Sequence, residues 1–166
     1  MRHVISILLQ NEAGALGRVA SLFSTRGYNI ESLNVAATED PQVSRLTLVS
    51  IGSDQVISQI TKQLFKLVDV VNIADMTLGD HIERELLLLK LRIPDASVDE
   101  VQEVVAQHEV TILDDAPANF TLEMIGTGGH IDELIDRVAG LADILAVVRS
   151  GPLAIARGQQ VLSANL

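Results

Sequence analysis

At 166 residues and a formal net charge of −10, the chain has room for one domain or two small ones and is too acidic to grip a nucleic-acid backbone. It contains no cysteine, which excludes disulfides, thiolate catalysis and cysteine-ligated zinc, and with Tyr28 as its one tyrosine and no tryptophan it offers no stacking platform for single strands. Hydrophobic residues make up 48%, enough for a core, yet no apolar run approaches the roughly 18 residues of a membrane span.

The N-terminus enters a strand-like pattern directly, without the basic, apolar, small-residue order of a signal peptide. A cytoplasmic chain without membrane or nucleic-acid partners is the expectation. The core is Leu, Val, Ile and Ala with 2% aromatics, and small domains built this way often complete their burial by associating.

Val4 to Leu9 is almost wholly apolar, as a central strand is. Asn11-Glu12-Ala13-Gly14 then forms a turn, and Ala15, Leu16, Val19, Leu22 and Phe23 fall on one face at helical period. Gly27 tolerates positive φ just past the helix end. Leu33, Val35 and Ala37 alternate as a half-buried strand, and residues 38–42 (Thr-Glu-Asp-Pro-Gln) turn the chain. Leu46 to Ile51 reads as a strand. Val56, Ile57, Ile60, Leu64 and Leu67 mark a second helix that Ser53 or Asp54 can cap. Val70 to Met76 closes the unit.

That order is strand, helix, strand, strand, helix, strand, the ferredoxin-like split βαβ. Its first and third strands are central, and here they are the most uniformly apolar. Leu78-Gly79-Asp80-His81 breaks the pattern, and residues 79–85 are expected to be a linker. The order then repeats. Leu86 to Ile93 is a strand, and Val98, Val101, Val104 and Val105 line a helix. Val110 to Leu113 is a strand, Asp114 to Asn119 a turn and Phe120 to Ile125 a strand. Ile131, Leu134, Ile135 and Val138 line a helix, and Ile144 to Val148 is the last strand. The predicted fold class is α+β, two tandem ferredoxin-like βαββαβ units offset by roughly 80 residues. The units span 1–78 and 86–150, and a tail from 151 to 166 shows no clear period.

The turn at Asn11 to Leu16 is the leading candidate site. Gly14 lets a ligand approach the backbone without a Cβ in the way. The N–H groups of Gly14, Ala15 and Leu16 are donors of a helix start, and the helix dipole adds to their attraction for a carboxylate. Asn11 offers a donor and an acceptor, suited to an α-amino group beside that carboxylate. From spacing alone, a tight turn with Asn as a local cap is the simpler account. The second unit has Pro94-Asp95-Ala96-Ser97 in this place. Pro94 lacks an N–H and Asp95 repels anions, so that turn is not expected to bind a carboxylate. Asn29 and Ile30 follow the helix exit. In a dimer Asn29 could reach the Gly14 turn of a second chain, although a plain helix exit also explains it.

Other motifs carry less. Gly126-Thr127-Gly128-Gly129 lacks the Lys-Ser/Thr of a P-loop and the G-x-G-x-x-G spacing, so it reads as a structural turn. His3, His81, His108 and His130 form no i, i+4 pair. Glu83-Arg84-Glu85 and Asp99-Glu100 read as solvated faces. No nucleophile and base can be assembled, and no active site is proposed.

The residues Asn11-Glu12-Ala13-Gly14-Ala15-Leu16, Arg26-Gly27-Tyr28-Asn29-Ile30-Glu31-Ser32-Leu33, Asp40-Pro41, Ser44-Arg45, Gln63-Leu64, Lys66-Leu67-Val68-Asp69-Val70 and Glu83-Arg84-Glu85 together closely resemble the regulatory (small) subunit family of acetolactate synthase, also called acetohydroxyacid synthase. The resemblance runs on to Arg149-Ser150-Gly151. It implies that the first unit is an ACT domain that dimerises and binds a branched-chain amino acid, chiefly valine, between two chains. Asn11, Gly14, Ala15 and Leu16 would hold the effector from one chain, and Asn29 and Ile30 from the other. The strand carrying Ala36 lies nearby in the family pattern. The implied partner is the catalytic large subunit, which uses thiamine diphosphate, FAD and Mg²⁺ to condense pyruvate with pyruvate or 2-oxobutyrate. None of those cofactors is expected in this chain. The implied role is to activate that subunit and confer valine feedback inhibition. The second unit departs most from ACT signatures and is expected to share in subunit contact. Two rivals remain. One is a stand-alone ACT amino-acid sensor without an enzyme partner. The other is a small ferredoxin-like hydrolase of acyl phosphates, which needs an Arg in the first strand-to-helix loop that Asn11 to Leu16 lacks.

Overall fold

In the computed structural model, which describes residues 1–116 and 118–164, the chain divides into two compact units. The first comprises residues 1–82 with 153–166, and the second residues 83–152.

The first unit runs β1 (Arg2–Gln10), α1 (Ala15–Thr25), β2 (Ile30–Ala37), β3 (Val43–Ile51), α2 (Asp54–Leu64) and β4 (Val70–Asp75). Its sheet has the order β2-β3-β1-β4, with β1 and β3 central as their apolar runs predict. β3 is antiparallel to both β1 and β2, so α1 must cross over β3 to connect two parallel strands. The two helices cover one sheet face. Ala15, Val19 and Phe23 of α1 and Ile57, Ile60 and Leu64 of α2 pack there against Ile5, Ile7, Leu9, Leu46 and Leu48. The spacing that marked the helices is therefore the spacing of their buried stripes. Ser53 caps α2 by accepting from the Val56 N–H at 3.4 Å.

The tail resolves why β1 is apolar on both sides. Leu153–Ala156 forms β9, and Ala154 packs with Val4, Val49 and Met76 on the sheet face away from the helices. Further along, Arg45 Nη2 donates to the Leu162 carbonyl at 2.8 Å and Asn72 Nδ2 to the Ser163 carbonyl at 2.9 Å. The described part of the tail, which periodicity left unassigned, thus completes the first unit. Its last two residues lie outside the described ones.

The second unit repeats the topology with β5 (His81–Arg92), α3 (Val98–Gln107), β6 (Thr111–Asp114), β7 (Asn119–Gly126), α4 (Gly128–Ala139) and β8 (Asp143–Arg149). The order β6-β7-β5-β8 corresponds strand for strand to that of the first sheet. Leu87, Leu89, Leu91, Leu122 and Met124 face Val101, Val104, Ile131, Leu134 and Val138. On the opposite sheet face Leu86, Ile125 and Val148 are exposed. The turn expected from Asp114 to Asn119 includes Pro117, which lies outside the described residues. The loop expected at Gly126 to Gly129 narrows to Thr127, because Gly126 ends β7 and Gly128 and Gly129 begin α4, which Thr127 caps by accepting from the His130 N–H at 3.4 Å.

Two sequence expectations are corrected. Residues 79–85 are mostly strand, because β5 starts at His81 and alternates inward and outward from Arg84 onward. Glu85 is no solvated residue. It is 5% exposed, and Arg149 donates to it through Nε at 2.8 Å and Nη2 at 3.0 Å, while the Gly151 N–H adds a bond at 3.2 Å.

Candidate effector site

β1 ends at Gln10, whose N–H donates to the Asp69 carbonyl at 2.8 Å. The chain then reverses through a turn closed by the Ala15 N–H donating to the Glu12 carbonyl at 3.2 Å. Gly14 sits at φ 86 and ψ −12, the values required at the third position of a type II turn. Only glycine adopts this conformation without strain, which is why it stands here. No side chain caps α1 and no acidic residue lies in its first turn. Its positive dipole end is therefore not neutralised from within the helix.

The donors differ from expectation at one position. The Ala15 amide is consumed by Glu12, and its methyl is buried in the core at 1% exposure. The Gly14 and Leu16 amides have no acceptor among the described residues. Leu16 is partly exposed beside them. Asn11 is fixed to the next loop, its N–H donating to the Gln42 carbonyl at 2.8 Å and its Nδ2 to the Pro41 carbonyl at 2.9 Å. That leaves Oδ1 of Asn11 as the atom able to receive an ammonium group.

Asn29 and Ile30 stand elsewhere. α1 has 11 residues, so at a rise of about 1.5 Å each its two ends are roughly 16 Å apart. Asn29 lies beyond the far end, exposed, with Nδ2 donating to Glu31 Oε1 at 2.7 Å. The Ser50 hydroxyl holds the Asn29 carbonyl at 2.8 Å. Ile30 begins β2, an edge strand of the sheet. Within one chain the two candidate groups do not meet.

Sequence reasoning missed Arg18 and Asp69. Arg18 folds back toward the start of α1, as helical side chains do. Its Nε donates to Asp69 Oδ2 at 2.5 Å and its Nη2 to Oδ1 at 2.7 Å. Nη1 lies 2.9 Å from where a Cβ on Gly14 would be. The Asp69 side chain is 3% exposed, and the Arg18 bonds hold its carboxyl below the usual carboxylate range against the opposing effect of burial. The spacing of four from Gly14 to Arg18 could have suggested the arginine. Nothing local marks Asp69 as its partner.

In the second unit the matching turn is a short 3-10 segment, Asp95–Ser97, followed by Asp99 and Glu100 in the first turn of α3. Among the described residues no group of three or more His, Cys, Asp or Glu could hold a metal ion, and no helix is long and apolar enough to cross a membrane.

The first unit is thus a βαββαβ fold whose first turn presents glycine and two helix amides without an acceptor among the described residues, and its sequence places it in the ACT-domain class. Residues 5–72 match the family model of the AHAS small subunit-like ACT domain, and residues 84–158 that of the small subunit of acetolactate synthase. The chain belongs to the acetolactate synthase small-subunit family. It is 43% identical over 162 residues to the acetolactate synthase isozyme 3 small subunit of Escherichia coli (strain K12), covering 98% of this chain and 99% of that one. It is 42% identical over 160 residues to the acetolactate synthase small subunit of Haemophilus influenzae, covering 96% and 98%. The crystal structure of the acetolactate synthase small subunit from Thermotoga maritima superposes with a TM-score of 0.85 at 31% identity, covering 96% of this chain and 99% of that chain.

Proposed function

We propose that this chain is the regulatory partner of a catalytic acetolactate synthase subunit in the cytoplasm. It binds that subunit, raises its activity and makes it sensitive to a branched-chain amino acid, valine first. Thiamine diphosphate, FAD and Mg²⁺ belong to the catalytic subunit in this reading, and no chemical step falls to this chain.

The observation that supports the reading is the uncapped start of α1, where the Gly14 and Leu16 amides have no acceptor among the described residues, and the site we propose there is divided between two chains. Asn11, Gly14 and Leu16 form one half, which is open and electropositive at the α1 start, and the Ala15 methyl backs it from the core. Asn29 and Ile30 form the other half, at the far end of the same helix. A homodimer through the ACT unit supplies Asn29 and Ile30 from a second copy. Valine held between two chains binds only the arrangement that brings the halves together. By linkage it must favour that arrangement over any other, and a change at the dimer interface then alters the surface offered to the catalytic subunit.

The test is acetolactate formation by the catalytic subunit with and without this chain, across a valine titration, using wild type and Gly14→Asp. Wild type should raise the rate and valine should lower it again. Gly14→Asp places a carboxylate and a Cβ where the ligand carboxylate would sit, so it should still activate while ignoring valine. Unchanged valine inhibition of the variant would sink the site assignment. A wild-type chain that binds valine but never alters the rate would be a stand-alone sensor.

A further inference from the structure

The bidentate pair between Arg18 and Asp69 has a geometry that a plain ion pair does not require. Asp69 takes Nε and Nη2 and leaves the third nitrogen, Nη1, without a partner among the described residues. That nitrogen lies over Gly14, 2.9 Å from the place of a missing Cβ. The Asp69 side chain is 3% exposed whereas that of Arg18 is 48% exposed, so the anchored end is buried and the cation faces solvent at the turn. The Glu12 carboxylate also lies near enough to act on the guanidinium electrostatically. The turn therefore offers cation, free amides and a nearby anion, a charge pattern that matches an amino-acid zwitterion.

We propose that Arg18, positioned by the buried Asp69, supplies the side-chain cation of the effector site, donating through Nη1 to the ligand carboxylate above Gly14. This rests on the effector reading above and adds a residue to it. Backbone amides alone provide neutral donors. A guanidinium makes the contact charge-assisted, which roughly doubles the strength of each bond. Arginine suits the task because its planar fork lets one carboxylate fix its orientation while another nitrogen serves a second. Asp69 acts as a positioning residue, since without it the four-bond side chain has no reason to stay folded over the turn.

The experiment is calorimetric titration of the full-length chain with L-valine and with L-valinamide, which keeps the ammonium group and loses the carboxylate. Wild type should prefer valine. In Arg18→Gln, valine affinity should fall by about tenfold or more while valinamide affinity stays put. Asp69→Asn should move the preference in the same direction by a smaller factor. If Arg18→Gln alone misfolds because Asp69 is left buried and unpaired, the double variant Arg18→Gln/Asp69→Asn removes that charge, and it too should show the lost preference. A wild-type preference for valine retained in a folded Arg18 variant overturns the proposal and leaves the effector reading standing. A wild-type chain that takes up neither ligand overturns the effector reading, and the role of Arg18 with it.

Discussion

Asn11 is bound to the loop around Pro41, not to its own helix: Nδ2 donates to the Pro41 carbonyl at 2.9 Å. The turn after β1 and the loop between β2 and β3 are thus one piece, and they lie next to each other because Leu9 and Gln10 pair with Ser44 and Val43. Asn11→Ala removes the bond to Pro41 and the free Oδ1 together. Valine affinity should fall by about tenfold or more, since an acceptor for the ammonium group is lost. Stability should drop by at most about 1 kcal/mol, since the bond is exposed. Calorimetry and urea titration measure the two, and wild-type valine affinity in this variant would remove Asn11 from the site.

Gly14→Ala meets two obstacles. Its φ of 86 is strained for any residue with a Cβ, and the new Cβ would lie 2.9 Å from Arg18 Nη1. A free arginine would swing away, but this one is held by two bonds to Asp69. The backbone conformation alone should cost about 1–2 kcal/mol of stability. Valine binding should weaken as well, because either the turn or the guanidinium must move. A urea midpoint equal to wild type would mean the turn relaxes freely.

The fold was largely legible because its signals are local. Val4 to Leu9, the stripe Val19 and Phe23, and the breaks at Gly27 and Gly52 each declare an element within a few residues. The turn at Gly14 was legible for the same reason. What stayed hidden was carried by distant pairs. Arg18 meets Asp69 across 51 positions and Glu85 meets Arg149 across 64, so each charged residue looks solvated until its partner is placed. The tail strand was hidden because Leu153–Ala156 buries little beyond Ala154, too little to set a period.

Asn29 gives a test that separates binding from folding. It is exposed, and among the described residues its side chain bonds only to Glu31 Oε1, at 2.7 Å. Asn29→Ala should leave the unfolding free energy from urea titration within about 0.5 kcal/mol of wild type, as surface changes do. Valine affinity should nevertheless fall, because the second half of the pocket loses its polar group. Wild-type affinity in this variant would leave Asn29 as a helix-exit residue alone.

Asp69 makes stability depend on pH with a defined sign. Arg18 holds its carboxyl below the ordinary 3.8, so the folded chain binds this proton less readily than the unfolded chain. The contribution is whole above 3.8 and is lost as pH falls through that value toward the depressed one. Wild type should therefore exceed Asp69→Asn in stability near about pH 6, and the gap should narrow near about pH 3. Urea titrations of both proteins at the two values check this. An equal gap at both would show that the difference does not come from ionisation of Asp69.

Arg149 forms a partly buried ion pair in the second unit at a different place in the repeat, joining the end of β8 to β5, and its removal should be costly. Glu85 is 5% exposed and holds Arg149 through both carboxylate oxygens, while Arg149 Nη1 also reaches Asp132 Oδ1 at 2.6 Å. Those bonds raise the Arg149 pKa, so the guanidinium stays charged at any ordinary pH. In Arg149→Met the Glu85 carboxylate keeps, among the described residues, only the Gly151 N–H, a buried charge with one donor. Breaking such a pair from one side costs roughly 3–5 kcal/mol when fully buried, and about 2–4 kcal/mol is expected here because Arg149 is partly exposed. The double variant Glu85→Gln/Arg149→Met should recover most of that loss, since no charge is left stranded. Two units need not unfold together, so a single midpoint would blur the result. Amide hydrogen exchange at Leu87, Leu89 and Leu122 reports on the second unit directly. Faster exchange there in the single variant, restored in the double, is the expected pattern, and equal protection in all three proteins would show the pair to be dispensable.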